Sequence, residues 1–136
     1  MLNSESRLSA ETSNGCFACG DGNPHGLGLK FRSVEATALA DWCPSSVWEG
    51  FRNIVHGGVV STVLDEAMCK AIAYAGHHGL TCDLRVRLRS HVGPGEELRV
   101  LGWVVEKRKR RIVAEASLTT TAGLEKAHAW ATFLAI

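Results

Sequence analysis

Hydrophobic residues follow a helical pattern in one long segment of the chain and a strand pattern on both sides of it. Between residues 58 and 75 the apolar positions recur every three to four residues, and only a narrow polar strip remains. Such a segment is typical of a helix that is buried nearly all round. The following "GHHG" predicts the end of this helix, because Gly76 suits a helix C-terminus.

Alternation with a period of two predicts strands. Residues 26–43 predict a strand pair, and residues 81–90 alternate almost perfectly. Three further strand-like stretches follow at 98–106, 112–120 and 127–136, separated by short turns. The apolar positions assigned to one face of a strand are Val34, Ala36, Ala38, Ala40 and Trp42 in the pair, and Cys82, Leu84, Val86 and Leu88 after the helix.

The order of elements is therefore two strands, one helix and four strands, and the short turns make the later strands antiparallel. This order predicts an α+β domain in which an antiparallel sheet of five or six strands wraps around one long central helix. Residues 16–136 are expected to form this domain, because no repeat or linker interrupts them. Residues 1–15 are polar and are expected to form a disordered tail.

Composition argues against several classes of function. The net charge of +1 argues against nucleic-acid binding, which usually requires a basic excess. No apolar run reaches the ~18 residues of a membrane span, and the first residues lack the apolar region of a signal peptide. The sequence therefore predicts a cytoplasmic protein that binds neither nucleic acid nor membrane.

The five cysteines are an odd number at irregular spacing, as expected for reduced thiols. Cys16 and Cys19 form one C-x-x-C pair, whereas a strong zinc signal needs a second pair or two well-spaced histidines. Only His25 and Cys43 are available, at irregular spacing. We therefore expect no metal site. A zinc-stabilised interaction module built on Cys16 and Cys19 is the alternative.

The segment "VHGGVVSTVLDEAM" resembles the signature of the PaaI-like acyl-CoA thioesterases of the hotdog-fold superfamily. That signature is His-Gly-Gly with an acidic residue nine positions after the histidine, and His56 and Asp65 have this spacing. "TCDLRVRL", "VGPGEEL" and "AHAWATFLAI" resemble the family's next strand, its turn and its closing strand, so the resemblance covers residues 16–136. It implies a hotdog fold and hydrolysis of an acyl-CoA, with coenzyme A as part of the substrate and no metal or redox cofactor.

The residues themselves fit this chemistry. The helix is expected to begin at Gly57 and Gly58, where free N–H groups and the helix dipole would form an oxyanion hole. A carboxylate on an apolar helix is costly unless it is paired or used, so Asp65 is the predicted catalytic carboxylate, as general base or as nucleophile. The nine residues from His56 to Asp65 span ~13 Å. This distance predicts an oligomer in which Asp65 serves the helix start of another subunit. The resemblance implies such a shared site in a dimer or tetramer.

Further residues are candidates for the same site. Glu66 lies ~100° around the helix from Asp65 and is the alternative carboxylate. His56 is expected to orient the loop or to donate a hydrogen bond to the substrate carbonyl, and Asn53 is a candidate for a further donor. The resemblance implies that the Thr81 hydroxyl positions the attacking water. The alternative interpretations are a structural histidine and a threonine that simply favours a strand.

Two basic stretches are candidates for binding the phosphates of coenzyme A, because arginine and lysine pair well with phosphate. A solvated sheet surface is the alternative interpretation. The residues are Arg85, Arg87, Arg89, Lys107, Arg108, Lys109 and Arg110.

A hotdog protein that binds acyl thioesters without hydrolysing them is the main alternative function. The dehydratase branch of the same fold is disfavoured, because it usually needs a histidine–acid pair arranged on one helix. The acyl group stays open among aryl, short-chain and medium-chain groups.

Overall fold

The computed structural model describes residues 14–136, so most of the predicted disordered tail, residues 1–13, lies outside the described residues. Within the described part, two strands, one α-helix and four strands follow one another in the predicted order. Their bounds are β1 (Arg32–Val34), β2 (Thr37–Trp42), α1 (Gly57–Tyr74), β3 (Gly79–Leu88), β4 (Leu98–Arg108), β5 (Arg111–Thr120) and β6 (Glu125–Ala135), with a short 3-10 helix at Ser46–Trp48.

The six strands form one antiparallel sheet in the order β1-β2-β4-β5-β6-β3. Helix α1 packs against strands β2 to β6 of this sheet, which confirms the predicted α+β architecture. Strand β3 follows the helix in sequence but pairs with β6, so its other edge has no strand beside it within residues 14–136. No helix of the described part combines the length and apolar character that crossing a membrane requires.

The core lies between the helix and the inward-facing positions of the strands. Val63, Leu64 and Met68 on the helix and Phe133 on β6 are all completely buried. Fully burying one large apolar side chain contributes ~1.5–3 kcal/mol. Packing of this kind, rather than intrinsic helix propensity, therefore fixes where the helix lies.

Strand β4 touches the backbone of the helix at Gly102. A Cβ atom on this glycine would lie 2.3 Å from the carbonyl oxygen of Ala67. No side chain fits there, because the neighbouring atoms belong to the helix backbone and not to a flexible side chain. This contact fixes the distance between the sheet and the helix turn that carries Asp65 and Glu66.

The turn of the hairpin between β1 and β2 lies at residues where the sequence pattern still alternates. Glu35 and Ala36 have φ angles of 48° and 64°, the left-handed conformation that tight hairpin turns use. Val34 and Ala36 are exposed at this turn, so their predicted place on the buried face of a strand is wrong. The other predicted positions of this face are buried, namely Ala38, Ala40 and Trp42.

Strand β3 contains a β-bulge at Cys82. Its pairing register with β6 shifts between Thr81 and Asp83, so Cys82 is the extra, unpaired residue. Thr81 pairs with the buried Phe133, which places Thr81 on the side of the sheet that faces the helix. The predicted alternation therefore fails at Cys82, because strict alternation from Leu84 backwards would turn Thr81 to the opposite side.

Strand β3 is also more exposed than its sequence pattern predicts. Leu80, Leu84 and Leu88 have exposed fractions of 58%, 39% and 52%, and only Val86 is half-buried. The physical reason is the position of β3 at the sheet edge, beyond the cover that the helix provides. Long exposed edge strands with apolar side chains are templates for pairing with another chain.

Candidate active site

Helix α1 begins at Gly57, as predicted, and His56 is its N-cap. The Nδ1 atom of His56 accepts a hydrogen bond from the Gly58 N–H at 2.8 Å. A neutral imidazole that accepts at Nδ1 carries its proton on Nε2. Among the described residues, the Gly57 N–H has no acceptor. The helix start therefore presents two donors, the Gly57 N–H and the His56 Nε2–H, whereas the Gly58 N–H is already engaged.

A cleft of about 420 Å³ opens beside these two donors. Its lining is mostly apolar, which suits the apolar part of a small ligand. Phe51 belongs to this lining, although 83% of its surface is exposed. The lining residues are Gly50, Phe51, Ile54, Val55, His56 and Gly57.

Asp65 and Thr81, which are far apart in sequence, form a hydrogen-bonded pair. The Thr81 hydroxyl donates to Oδ1 of Asp65 at 2.7 Å. Burial raises the pKa of Asp65, and the hydrogen bond from Thr81 partly opposes that rise. The bulge at Cys82 allows the contact between Thr81 and Asp65, because it turns Thr81 toward the helix. The structure thus brings together two residues that the sequence singled out by separate arguments.

The two parts of the site lie far apart within one chain. Gly57 and Asp65 are separated by two turns of helix, ~12 Å along its axis. Both parts nevertheless adjoin strand β3, since a Cβ atom on Gly57 would lie 3.0 Å from Cδ1 of Leu88 and Asp65 bonds to Thr81. The donors therefore lie at one end of the open edge of β3 and the carboxylate lies near the other.

Glu66 points to a different part of the molecule from Asp65. Its Oε1 atom accepts a hydrogen bond from the Cys19 thiol at 2.8 Å. Together with Cys16 these residues form a cluster in which the two sulfurs and a carboxylate oxygen all lie within 4.8 Å of one another. The contact between Glu66 and these cysteines was not predicted from the sequence. The available signal was the C-x-x-C pair, but its partner lies 47 residues further along the chain.

Asn53 lies in an exposed turn three residues before the N-cap. Its φ angle is 62°, a left-handed conformation that asparagine adopts more readily than most residues. The Ile54 N–H closes the turn by donating to the carbonyl of Phe51 at 2.9 Å. The turn geometry accounts for an asparagine here, and its role as a carbonyl donor stays a prediction.

The predicted basic residues on β3 interact with the outer face and the end of the sheet. The guanidinium groups of Arg85 and Arg87 lie 5.1 and 5.9 Å from the centre of the Trp130 ring. Arg89 pairs with Glu125 at 3.0 Å. An exposed ion pair such as Arg89–Glu125 contributes little to stability. The guanidinium groups of Arg85, Arg87 and Arg89 therefore remain available for other partners.

The second basic stretch covers the end of β4 and the turn into β5. The Nζ atom of Lys107 donates to the carbonyl of Lys109 at 2.7 Å, and Nε of Arg110 donates to the carbonyl of Ala135 at 3.1 Å. Ala135 pairs with Gly79, so this turn lies at the sheet end where β3 begins. Phosphate binding by either stretch stays a prediction. The side chains of this turn are all exposed, namely Lys107, Arg108, Lys109 and Arg110.

Solved structures with similar folds confirm the predicted hotdog fold. A protein described as belonging to the thioesterase superfamily superposes with a TM-score of 0.81 at 22% identity, over 85% of this chain and 60% of that one. The Escherichia coli PaaI protein from the phenylacetic acid degradation operon gives 0.74 at 17% identity, over 81% and 80%. A hypothetical thioesterase of Streptococcus pneumoniae, solved with coenzyme A, gives 0.74 at 15% identity, over 79% and 87%. Structures of an aspartate-to-alanine and a threonine-to-alanine variant of that protein are also similar.

The sequence itself also matches a known family. None of the curated proteins matches the chain significantly. The model of the thioesterase superfamily matches residues 52–127. This match covers more than half of the chain and includes the helix start, both carboxylates and Thr81. The chain therefore belongs to the thioesterase superfamily.

Proposed function

We propose that the protein is a PaaI-like acyl-CoA thioesterase, which hydrolyses an acyl-CoA to a free carboxylic acid and CoA. The observation that carries this proposal is the half-buried Asp65 carboxylate, which Thr81 holds at an open sheet edge. Hydrolysis of a thioester needs a group that stabilises the developing oxyanion and a group that activates water or attacks the carbonyl carbon. The helix start and Asp65 supply these two functions without a metal or redox cofactor.

The Gly57 N–H is the proposed oxyanion donor. It lies at the positive end of the helix dipole, where negative charge on the thioester oxygen is stabilised. The absence of a side chain lets the carbonyl approach the backbone closely. The Nε2–H of His56 is the second donor, while Nδ1 stays bonded to the Gly58 N–H. Loss of one such donor typically slows acyl transfer ~10²–10³-fold.

Asp65 acts as the general base for water or as the nucleophile, and the Thr81 hydroxyl fixes the orientation of its carboxylate. In the first route, a proton passes from water to Asp65 while the new C–O bond forms. Collapse of the tetrahedral intermediate then breaks the C–S bond, and the Asp65 proton is released to the thiolate or to solvent. A thiol has a pKa of ~8.5, so the thiolate leaves without strong acid catalysis.

A two-fold axis across the open edge of β3 would unite the two parts of the site. If β3 pairs antiparallel with its copy about a point midway between Thr81 and Leu88, Thr81 lies opposite the partner's Leu88. Asp65 bonds to Thr81, and Gly57 packs against Leu88. Each carboxylate would then face the helix start of the other subunit. The same pairing would satisfy the free backbone groups of the edge.

Similarity to the S. pneumoniae thioesterase supports the choice of Asp65 and Thr81. The aspartate and the threonine substituted in its two variants are 16 residues apart, as are Asp65 and Thr81. That protein was solved with coenzyme A. The same pair of residue types at the same separation is what a shared catalytic arrangement predicts.

Coenzyme A is the proposed carrier of the acyl group. The stretch Lys107–Arg110 lies at the sheet end where β3 begins, the same end as Thr81. Arg85 and Arg87 lie on the outer face of the sheet beside Trp130. The guanidinium and ammonium groups of both stretches suit the phosphates of CoA.

The first experiment is a free-thiol release assay of the wild-type protein over a panel of aromatic and aliphatic acyl-CoAs. We expect turnover of at least one substrate, and a dimer or tetramer in solution. The main alternative is a protein that binds acyl-CoA without hydrolysing it. Micromolar acyl-CoA binding by calorimetry, with no thiol release from any substrate, would replace the thioesterase proposal by this alternative.

Subunit complementation tests whether the site is shared. Asp65→Asn removes the carboxylate, and Gly57→Val blocks the helix start, so each variant alone is expected to be inactive. After mixed refolding, half of the dimers of this symmetric pairing contain both variants, and each of these has one complete site. We therefore expect roughly a quarter of wild-type turnover. Mixtures that stay inactive although mixed dimers are present would show that each site uses one chain only.

A further inference from the structure

The segment 14–29 forms a tight loop that holds the C-x-x-C pair against helix α1. The Gly20 N–H donates to the carbonyl of Cys16 at 2.8 Å, and the Gly22 N–H donates to the carbonyl of Asn14 at 2.9 Å. A Cβ atom on Gly20 would lie 2.1 Å from the Asn14 carbonyl oxygen, so only glycine fits at this position. The loop is therefore a specifically folded element and not a loose lead into the first strand.

The loop places both cysteine sulfurs beside one carboxylate of the helix. Sγ of Cys16, Sγ of Cys19 and a carboxylate oxygen of Glu66 all lie within 4.8 Å of one another. All three side chains are half-buried, and both cysteines pack against the hydrophobic core. Two thiols and one carboxylate that converge from separate elements form a set of donor atoms that suits a metal ion.

This cluster is unfavourable electrostatically when its groups are ionised without a cation. Burial and then the Glu66 carboxylate raise the pKa of the Cys19 thiol to about 12. The Lys70 ammonium opposes this rise only in part. A bound divalent cation would reverse the balance, because it stabilises thiolates and carboxylate together.

We propose that Cys16, Cys19 and Glu66 form a structural site for a thiophilic divalent cation, with zinc as the best match. Zinc takes cysteine sulfur at ~2.3 Å and carboxylate oxygen at ~2.0–2.2 Å in tetrahedral geometry. Binding displaces one proton from each thiol to solvent, because the thiolate is the form of cysteine that binds the metal. A water molecule completes the coordination, because the cluster within the described residues supplies three ligand atoms.

Such an ion would tie the first loop of the domain to the central helix, one residue from Asp65. Its role would be structural, since the cluster and the Asp65–Thr81 pair involve different side chains. This inference therefore does not depend on the proposed hydrolysis, and neither would fail because the other failed.

The test is metal binding by the reduced full-length protein. We expect about one zinc ion per chain by elemental analysis after dialysis. The cobalt-loaded wild-type protein should show tetrahedral d–d bands and thiolate-to-cobalt charge-transfer absorption. Wild-type protein that retains no zinc and gives no such spectrum would overturn the proposal. A Cys16–Cys19 disulfide in protein purified without reductant, together with no zinc uptake after reduction, would replace the metal site by a redox pair.

Variants locate the site. Cys19→Ser and Glu66→Gln should each weaken zinc binding by more than the ~10–100-fold that loss of a group orienting a ligand costs, because each removes a direct ligand. Cys43→Ser is the matched control, because Cys43 is an exposed thiol outside the cluster, and it should keep wild-type affinity. Undiminished zinc binding by a folded Cys16→Ser/Cys19→Ser variant would place the metal elsewhere and overturn the assignment. The cobalt spectrum of the wild-type protein decides the case if the double variant does not fold.

Discussion

Asp65 and Glu66 are neighbours in sequence, yet they belong to two different surroundings. Asp65 accepts a hydrogen bond from a hydroxyl on the open edge of the sheet. Glu66 accepts one from a thiol of the loop that precedes the first strand. Adjacent residues on a helix point ~100° apart, so one step along the chain moves a carboxylate from one element to another.

This difference shows that the chemical role of a carboxylate depends on the residues that its side chain contacts. Asp65 meets a strand whose outer edge is unpaired within the described residues, where a substrate or a second subunit can approach. Glu66 meets two half-buried cysteines that pack against the core. We therefore expect the first carboxylate to serve turnover and the second to serve the integrity of the domain.

The largest expected effect is on turnover. Asp65→Asn should lower kcat for the best acyl-CoA by ~10³-fold, within the range for loss of a general base. Glu66→Gln is the matched control and should stay within a few-fold of wild type. Thiol release, with size-exclusion chromatography to confirm the assembly, measures both. A large loss in Glu66→Gln together with a small loss in Asp65→Asn would reverse the two roles.

Stabilisation against thermal unfolding by zinc should depend on Glu66 and not on Asp65, which is the reverse of what we expect for turnover. Zinc at 100 times its dissociation constant stabilises a folded protein by ~2.7 kcal/mol, which corresponds to a rise of roughly 5–15 °C in Tm for a domain of this size. We expect this rise in the wild type and in Asp65→Asn, and its loss in Glu66→Gln. An equal rise in all three proteins would contradict the separation of the two carboxylates.

Thr81→Val tests the contact that holds Asp65. Burial raises the pKa of Asp65 and the Thr81 hydroxyl lowers it, so removing the hydroxyl raises this pKa further. Because the base must be ionised, the acidic limb of the pH profile of kcat/KM should move to higher pH. Turnover at neutral pH should fall ~10-fold, as expected for the loss of a hydrogen bond to a charged group. An unmoved acidic limb would show that Thr81 does not bond to the catalytic group.

The smallest effect on turnover is expected for a substitution of Asn53. Asn53→Gly keeps the left-handed backbone that the turn requires and removes the side chain. Turnover should change by less than ~3-fold, since the residue then serves the turn alone. A loss of ~10²-fold in kcat with an unchanged Tm would instead identify Asn53 as an oxyanion donor.

Much of the fold could be predicted from the sequence, because it depends on local periodicity. The helix start at Gly57, the order of the elements along the chain and the core of the described residues follow from apolar spacing. The order of the strands in the sheet does not follow from it. The bulge at Cys82 could not be predicted, since it exists only in the pairing of β3 with β6. The contact of Glu66 with Cys19 joins residues 47 positions apart, and no local pattern encodes it.

The bulge at Cys82 affects how the sequences of related proteins align with this one. Side chains on the two sides of the bulge follow opposite odd–even rules, because Thr81 and Leu84 both face the helix. Deletion of the Cys82 codon would remove the extra residue, and Thr81 would still pair with Phe133 and face the helix. A relative that lacks the bulge can therefore keep the contact between Thr81 and Asp65 with one residue fewer between Thr81 and Leu84. An ungapped alignment with such a relative, matched at Leu84, would pair Thr81 with a position on the opposite side of the sheet.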